Sequence, residues 1–327
     1  MEVHDFGKTG LKVSEIGFGC ARLGGIMARN GSKREPLDAL QQAFDQGITF
    51  YDTADMYTQG ESETLLGKAF NGRRDKVVIA SKAGYCLPAQ RKLIAGIKPL
   101  VKPLVRMLGI KRQSLPSGVS GSLSQDFSPE YLMNAIEASL RRLNTDHLDL
   151  FQVHSPPTAT IASGEFIESL EKLKAQGKTR YYGVACDTVE DAMLSLKYPG
   201  VSSVMFPFGL LDQEAQNELF AKAEAQGVAL IARGCFGGGL LKTSLTEQEL
   251  REMTEKWPRI LAYRRIAGQY GRSVLELALQ FSRSFPTISV HLLGMRTPAH
   301  LTENLKYLSA SLLTAEELHE VSRPISS

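Results

Sequence analysis

A chain of 327 residues with 43% hydrophobic content buries a large core, as one big α/β barrel or as two smaller domains, and its net charge of +3 is too mild for a dedicated nucleic-acid protein. The four cysteines (Cys20, Cys86, Cys186, Cys235) form no CxxC pair and have no histidine run beside them; that fits free thiols in a reducing compartment rather than a disulfide framework or a zinc site. The polar start Met1-Glu2-Val3-His4-Asp5 leads into no signal-peptide core, and no apolar run reaches about 18 residues, so a soluble, cytoplasmic protein is expected.

The first residues read as a small hairpin, Val3–Phe6 and Leu11–Val13 around a Thr-Gly turn. Eight strand-like runs follow: Ser14–Cys20, Ile48–Asp52, Lys76–Lys82, Leu148–His154, Arg180–Ala185, Val201–Phe206, Val228–Ala232 and Ile288–Leu293. Helical periodicity separates most of them. Pro36 opens a helix with Leu37, Leu40, Ala43 and Phe44 on one face, and Gly47 closes it. Ser128-Pro129-Glu130 caps another, whose stripe is Leu132, Ala135, Ile136, Leu140 and Leu143. Phe166, Leu170 and Leu173 mark a third. Three helices end alike, at Gln46-Gly47, Gln176-Gly177 and Gln226-Gly227, where glycine suits a left-handed cap. Strand–helix alternation repeated eight times predicts one (β/α)₈ barrel over residues 1–327. The competing dinucleotide fingerprint is incomplete, since Gly17-Phe18-Gly19-Cys20-Ala21-Arg22 ends on arginine with no helix before Pro36.

Two connections are long. Residues 83–127, after the third barrel strand, read as an inserted loop or lid, and 233–258 as a glycine-rich loop before a helix that includes Ser273–Phe281. Both follow strand C-termini, the face where barrel active sites are built. The chain is read as stopping soon after the eighth helix, about Pro298–Tyr307, with no long tail to cover that face.

The early strands deliver matching groups to that face. The second brings Asp52 and then Tyr57, the third Lys82, the fourth His154. Neighbouring strands lie ~4.8 Å apart, so groups on three consecutive strand ends meet within ~10 Å. Each residue alone has an ordinary explanation: a strand-ending aspartate, a loop tyrosine, a solvated lysine, a hydrogen-bonded structural histidine. Together they describe a site that protonates an oxygen. A free phenol, with a pKa of ~10, is a poor acid near neutrality. An adjacent ammonium stabilises the phenolate and lowers that value, Asp52 keeps Lys82 charged, and His154 places a carbonyl oxygen against the Tyr57 hydroxyl. With no nucleophile elbow and no clustered metal site, an external hydride donor completes the chemistry.

These residues sit in motifs that resemble the aldo-keto reductase family over nearly the whole chain. The motifs are Gly10-Leu11-Lys12-Val13-Ser14, Tyr51-Asp52-Thr53-Ala54-Asp55-Met56-Tyr57, Gly60-Glu61-Ser62-Glu63, Leu65-Leu66-Gly67 and Leu293-Gly294-Met295-Arg296-Thr297. Asp52, Tyr57, Lys82 and His154 fall on that family's catalytic tetrad. The resemblance implies reversible carbonyl reduction of a small molecule by NADP(H), with NAD(H) not excluded, and Tyr57 as general acid. It also implies a cofactor along the loop after the seventh strand, including Arg233, Gly234, Cys235, Gly237, Gly238 and Gly239. The adenosine end would lie on Gly294, Met295, Arg296, Thr297, His300, Glu303 and Asn304, with Arg296 the candidate for a 2′-phosphate.

The chain departs from the family in Gly183-Val184-Ala185-Cys186-Asp187, where Ala185 replaces the usual serine, and in Met205, at a position usually glutamine. Arg233 stands where an aromatic residue often stacks on the nicotinamide. Up to three carboxamide hydrogen bonds are thereby lost, unless Asp187 or backbone groups replace them. A cofactor-binding regulatory or interaction protein of the same fold, with vestigial catalysis, is therefore the alternative. In the insertion, Lys98, Lys102 and Arg106 share a spacing of four, although Pro99 and Pro103 oppose a regular helix. A basic segment over 91–112 fits a membrane surface or an acidic partner; a lid with solvated lysines, contributing Tyr85, Leu87 or Phe127 to the pocket, is the simpler reading. Phe206, Phe208, Phe236 and Trp257 fit an apolar pocket or the core equally well.

Overall fold

Eight parallel strands close on one another in chain order in the computed structural model, which describes residues 1–24, 34–86 and 124–323. An antiparallel hairpin comes first, β1 (Val3–Asp5) paired with β2 (Lys12–Ser14). The barrel strands are β3 (Ile16–Gly19), β4 (Phe50–Asp52), β5 (Val78–Ala83), β8 (Leu148–His154), β9 (Thr179–Ala185), β10 (Ser203–Pro207), β11 (Ala229–Arg233) and β12 (Ile288–Gly294). Between β5 and β8, a short ribbon pairs β6 (Tyr85–Cys86) with β7 (Ser124–Gln125) at the root of the insertion. Leu87, the basic repeat at 98–106 and the wider stretch 91–112 lie outside the described residues. Among the described residues, no helix is long and apolar enough to cross a membrane.

The strand alternation decides what the barrel holds. Side chains on one face of a strand recur every second residue, and Phe50, Ala80, Leu150, Ala185, Met205 and Ile231 share the inner core. The hairpin plugs the lower end, where Phe6 packs on Phe50 with ring centroids 5.7 Å apart. Continuing the same parity upward brings Asp52, Lys82, His154 and Arg233 inward at the upper ends of β4, β5, β8 and β11. Gly17 and Gly19 belong to this interior: a Cβ on Gly17 would lie 2.6 Å from Leu292 and 2.7 Å from Val290. The partial fingerprint is thus barrel packing.

Most helices follow the sequence pattern. They include α1 (Glu35–Asp45), α2 (Glu61–Ala69) and α3 (Pro129–Leu143), whose Ser128 cap accepts from Tyr131 N. Further on come α4 (Thr158–Ser163), α5 (Ile167–Ala175), α6 (Val189–Ser195) and α7 (Leu219–Gln226). The expected glycine caps at 47, 177 and 227 have φ of 85°, 73° and 68°. The region read as one loop at 233–258 differs, because it contains α8 (Glu247–Met253), opened by a capping box between Thr246 and Glu249. Only Leu250 of this helix is buried, so no apolar stripe announced it. After α9 (Trp257–Gln269), α10 (Val274–Arg283) and α11 (Pro298–Leu308), a further helix, α12 (Ala315–Ser322), docks through Arg272–Glu317 at 2.6 Å and Tyr270–Glu320 at 2.6 Å. Phe206 and Phe208 are 0% and 1% exposed and pack with Phe220 outside the strands, so they are core rather than pocket.

The Leu65-Leu66-Gly67 motif has a packing cause. A Cβ on Gly67 would stand 2.5 Å from Leu143 O and 2.9 Å from Arg142 O, the end of α3. Those are backbone atoms that cannot rotate away. Gly67→Ala gains up to ~1 kcal/mol of helix propensity, but the overpacking costs about 1–3 kcal/mol. The expected net effect is a loss, read as a thermal midpoint a few degrees below wild type.

Candidate active site

Lys82 is the centre of the upper face. It is 1% exposed, and its Nζ lies 2.7 Å from both oxygens of Asp52, 2.8 Å from Thr53 O and 3.4 Å from Tyr57 Oη. The ammonium also stands 4.9 Å from the centre of the Tyr57 ring. His154 meets that ring edge-on, centroids 5.7 Å apart, and Tyr85 packs edge-on against His154 at 4.9 Å. The four residues named from the sequence therefore come together, and Tyr85 from the insertion root joins them. Phe127 is 7% exposed and packed in the core.

The electrostatics correct one expectation. Burial raises the Tyr57 pKa, and although Lys82 pulls it down, the net shift is upward. Lys82 does lower the phenol, but desolvation of the phenolate outweighs it. For Lys82, burial disfavours the charge, yet Asp52 and Tyr57 together hold the ammonium above its usual range. Burial pushes the Asp52 carboxyl up against the pull of Lys82. His154 is pushed down to about 3 by burial, then by Lys82 and Arg233, and is a neutral imidazole at neutral pH.

A supporting layer behind these groups was not read from the sequence. Buried Glu63 accepts from Ser81 Oγ at 2.6 Å and from Arg142 Nε at 2.6 Å, tying α2 to β5 and α3. Asp55 is pushed up to about 7 by burial and by Glu63, and accepts from Tyr131 Oη at 3.3 Å. Gln125 Nε2 donates to His154 O at 3.3 Å and Ser155 O at 2.7 Å. Thr58, Gln59 and Ser155 have φ of 49°, 62° and 50°, so left-handed backbone follows both Tyr57 and His154. Strain of this kind, about 1–3 kcal/mol per residue, concentrates at functional sites. The capping and pairing chemistry of these residues offered the sequence reading no signal, because the contacts join distant segments.

On the far wall, Arg233 Nη2 donates to Cys186 O at 3.0 Å and Asp187 Oδ1 at 2.8 Å, and Ser155 Oγ donates to the same carboxylate at 2.8 Å. One of the two Asp187 carboxylate oxygens, Oδ1, is thus engaged by both groups. Ala185 and Met205 are 3% and 2% exposed, in the apolar inner core. Along the loop after β11, Gly234, Gly237, Gly238 and Gly239 have φ of 80°, 58°, 65° and 102°. A Cβ on Gly234, Gly238 or Gly294 would meet nothing within 4 Å, which leaves room for a ligand against the backbone. The Cys235 and Met295 side chains are buried in the core, Thr297 caps α11 through His300 N at 3.3 Å, and Glu303 accepts from Tyr307 Oη at 2.6 Å. Buried Arg296 Nε and Asn304 Nδ2 have no partner among the described residues, while Arg296 and Lys242 both bear on His300. An open glycine cradle and two unpaired buried donors fit an anionic dinucleotide.

The sequence profile of the Aldo/keto reductase family matches residues 15–324. A Bacillus subtilis protein described as an uncharacterized oxidoreductase, YqkF, is 28% identical, the match covering 97% of this chain and 94% of that one. The pyridoxal 4-dehydrogenase of Microbacterium luteolum is 27% identical over 95% of this chain and 94% of its own. Among solved structures, the aldo-keto reductase AKR11C1 from Bacillus halodurans, in its holo form, superposes with a TM-score of 0.77 at 27% identity, covering 98% of this chain and 95% of that one. The barrel, the groups gathered at its upper face and the match over nearly the whole chain lead to one assignment: this protein belongs to the aldo/keto reductase family.

Proposed function

We propose that this protein is a cytoplasmic, NADP(H)-dependent oxidoreductase that reduces an aldehyde or ketone to the alcohol, or runs the reverse, with Tyr57 as general acid and base. The observation that carries the reading is buried Lys82 Nζ reaching both Asp52, at 2.7 Å, and Tyr57 Oη, at 3.4 Å. The coenzyme, when bound, supplies or accepts the hydride. Tyr57 gives its proton to the substrate oxygen in reduction and takes it back in oxidation. Lys82 stabilises the phenolate as it forms, and low dielectric strengthens that interaction. Asp52 keeps Lys82 charged and aimed. Neutral His154 orients the substrate oxygen beside the phenol. The unpaired Nε of Arg296, with Lys242 nearby, favours a 2′-phosphate and hence NADP(H) over NAD(H). The apolar Ala185 and Met205 motivate the second reading, a coenzyme-binding protein with vestigial catalysis. Single-turnover oxidation of bound NADPH by a panel of aldehydes and ketones separates the two, and no oxidation by any of them supports the second.

Tyr57→Phe is expected to lower kcat by about 10²–10⁴-fold while the NADPH dissociation constant stays within a few-fold of wild type. Wild-type turnover in that variant would remove Tyr57 from the role of acid. The pH dependence follows from the same shifts. Reduction needs the protonated phenol, which burial holds above its ordinary value of about 10. The rate of reduction should therefore stay level through neutrality and fall only on the alkaline side. No step from His154 is expected above about pH 4, since its imidazole is neutral down to about 3. Arg296→Leu should weaken NADPH binding by about 10–100-fold, the worth of a charged hydrogen bond, and leave NADH binding unchanged.

A further inference from the structure

The upper face has two unlike walls. Tyr57, Lys82 and His154 stand on the side of β4, β5 and β8, and opposite them β9 and β10 carry the inward-facing, buried Ala185 and Met205 while β11 ends on Arg233. Ala185 and Met205 bring no charge. Arg233 does, and it is tethered: its Nη2 reaches over the end of β10 to Cys186 O at 3.0 Å and Asp187 Oδ1 at 2.8 Å, on the loop after β9. Ser155 Oγ donates to the same Asp187 oxygen at 2.8 Å. The counter-ion faces outward, for the Asp187 side chain is 60% exposed against 37% for Arg233. The guanidinium therefore sits inside the mouth with its compensating charge on the rim. Its field reaches across the mouth, where it acts on Asp52, Tyr57 and His154.

We propose that Arg233 makes this enzyme discriminate between the two oxidation states of its coenzyme, binding the reduced form, whose ring is neutral, more tightly than the oxidised form, whose ring is cationic. The inference rests on the reading of the chain as a nicotinamide-dependent oxidoreductase. A substrate carbonyl that takes its proton from the β4–β5–β8 wall receives hydride at carbon from the remaining side. That side also carries the open glycine cradle after β11 and Gly294 at the end of β12. The ring consequently lies toward the wall on which Arg233 is fixed. NADPH and NADP⁺ share every phosphate and both riboses, so contacts along the rest of the dinucleotide cancel in the ratio of their dissociation constants. What remains is the charge of the ring against the charge of Arg233. For unit charges a few ångströms apart at an effective dielectric of about 20 the repulsion is large, and partial exposure and the Asp187 counter-charge reduce it to an effect on the order of tenfold.

The test is a pair of titrations, NADPH by its fluorescence and NADP⁺ by calorimetry, on wild type, Arg233→Gln, Arg233→Lys and Asp187→Asn. The quantity read is the Kd of NADP⁺ divided by the Kd of NADPH. Arg233→Gln should lower it about tenfold, which moves the two-electron potential of the bound couple down by about 30 mV. Arg233→Lys should keep most of the wild-type ratio, and Asp187→Asn should raise it several-fold by removing the counter-charge. A ratio within twofold of wild type in Arg233→Gln overturns the proposal, including the case where both forms weaken equally and the arginine is only a structural tie. If the glutamine variant does not fold, an unchanged ratio in Asp187→Asn overturns it instead. A wild type that binds neither form overturns the nicotinamide reading itself, so the two failures are told apart.

Discussion

Lys82 and Asp52 face each other at 2.7 Å inside the barrel mouth with 1% and 6% of their side chains exposed. Burying two charges in this way adds little to stability, because desolvation consumes most of the attraction, whereas deleting one partner leaves an uncompensated charge that costs about 3–5 kcal/mol. The pair holds a buried cation 3.4 Å from the Tyr57 hydroxyl. The remaining structure follows from that placement. β4 and β5 must end at matching heights, which their register supplies by setting Asp52 opposite Ala80 with Lys82 one inward step above. Glu63, Ser81 and Arg142 lock α2, β5 and α3 together behind the pair.

Burial acts on the site in both directions. It raises the Tyr57 pKa, so the resting phenol keeps its proton through the neutral range. The same loss of solvent strengthens the pull of Lys82 as negative charge develops on the phenol oxygen. A tyrosine in water would be indifferent to both effects. Driving His154 to about 3 serves the same economy, since a second cation in so small a space would compete with Lys82 for position.

Much of this was legible in the residue order because a barrel is periodic. β8 begins and ends where its apolar run predicts, and the three Gln-Gly endings take the left-handed backbone expected of them. The meeting of Asp52, Lys82 and His154 was legible for the same reason: inward parity at the ends of consecutive strands needs only alternation. What failed to show were properties of depth and of contact between distant loops. The net upward shift of Tyr57 depends on how far water is excluded, which no spacing encodes. Phe206 and Phe208 looked equally suited to a pocket and to the core until packing with Phe220 decided it. α8 carries a good capping box but a single buried leucine, and propensity without an apolar stripe is a weak signal.

The two walls are built to different standards. On the proton side, Thr58, Gln59 and Ser155 accept left-handed backbone that L-residues adopt at a cost, and Tyr57 and His154 immediately precede them. On the other side the left-handed positions are glycines, which adopt that conformation without strain. Left-handed backbone on L-residues thus lies beside Tyr57 and His154, and the opposite wall carries it on glycine. Ser155 belongs to both arrangements. Its backbone fixes the turn after His154, and its hydroxyl holds the Asp187 carboxylate that restrains Arg233. Ser155 thereby links the turn after His154 to the carboxylate that Arg233 also engages.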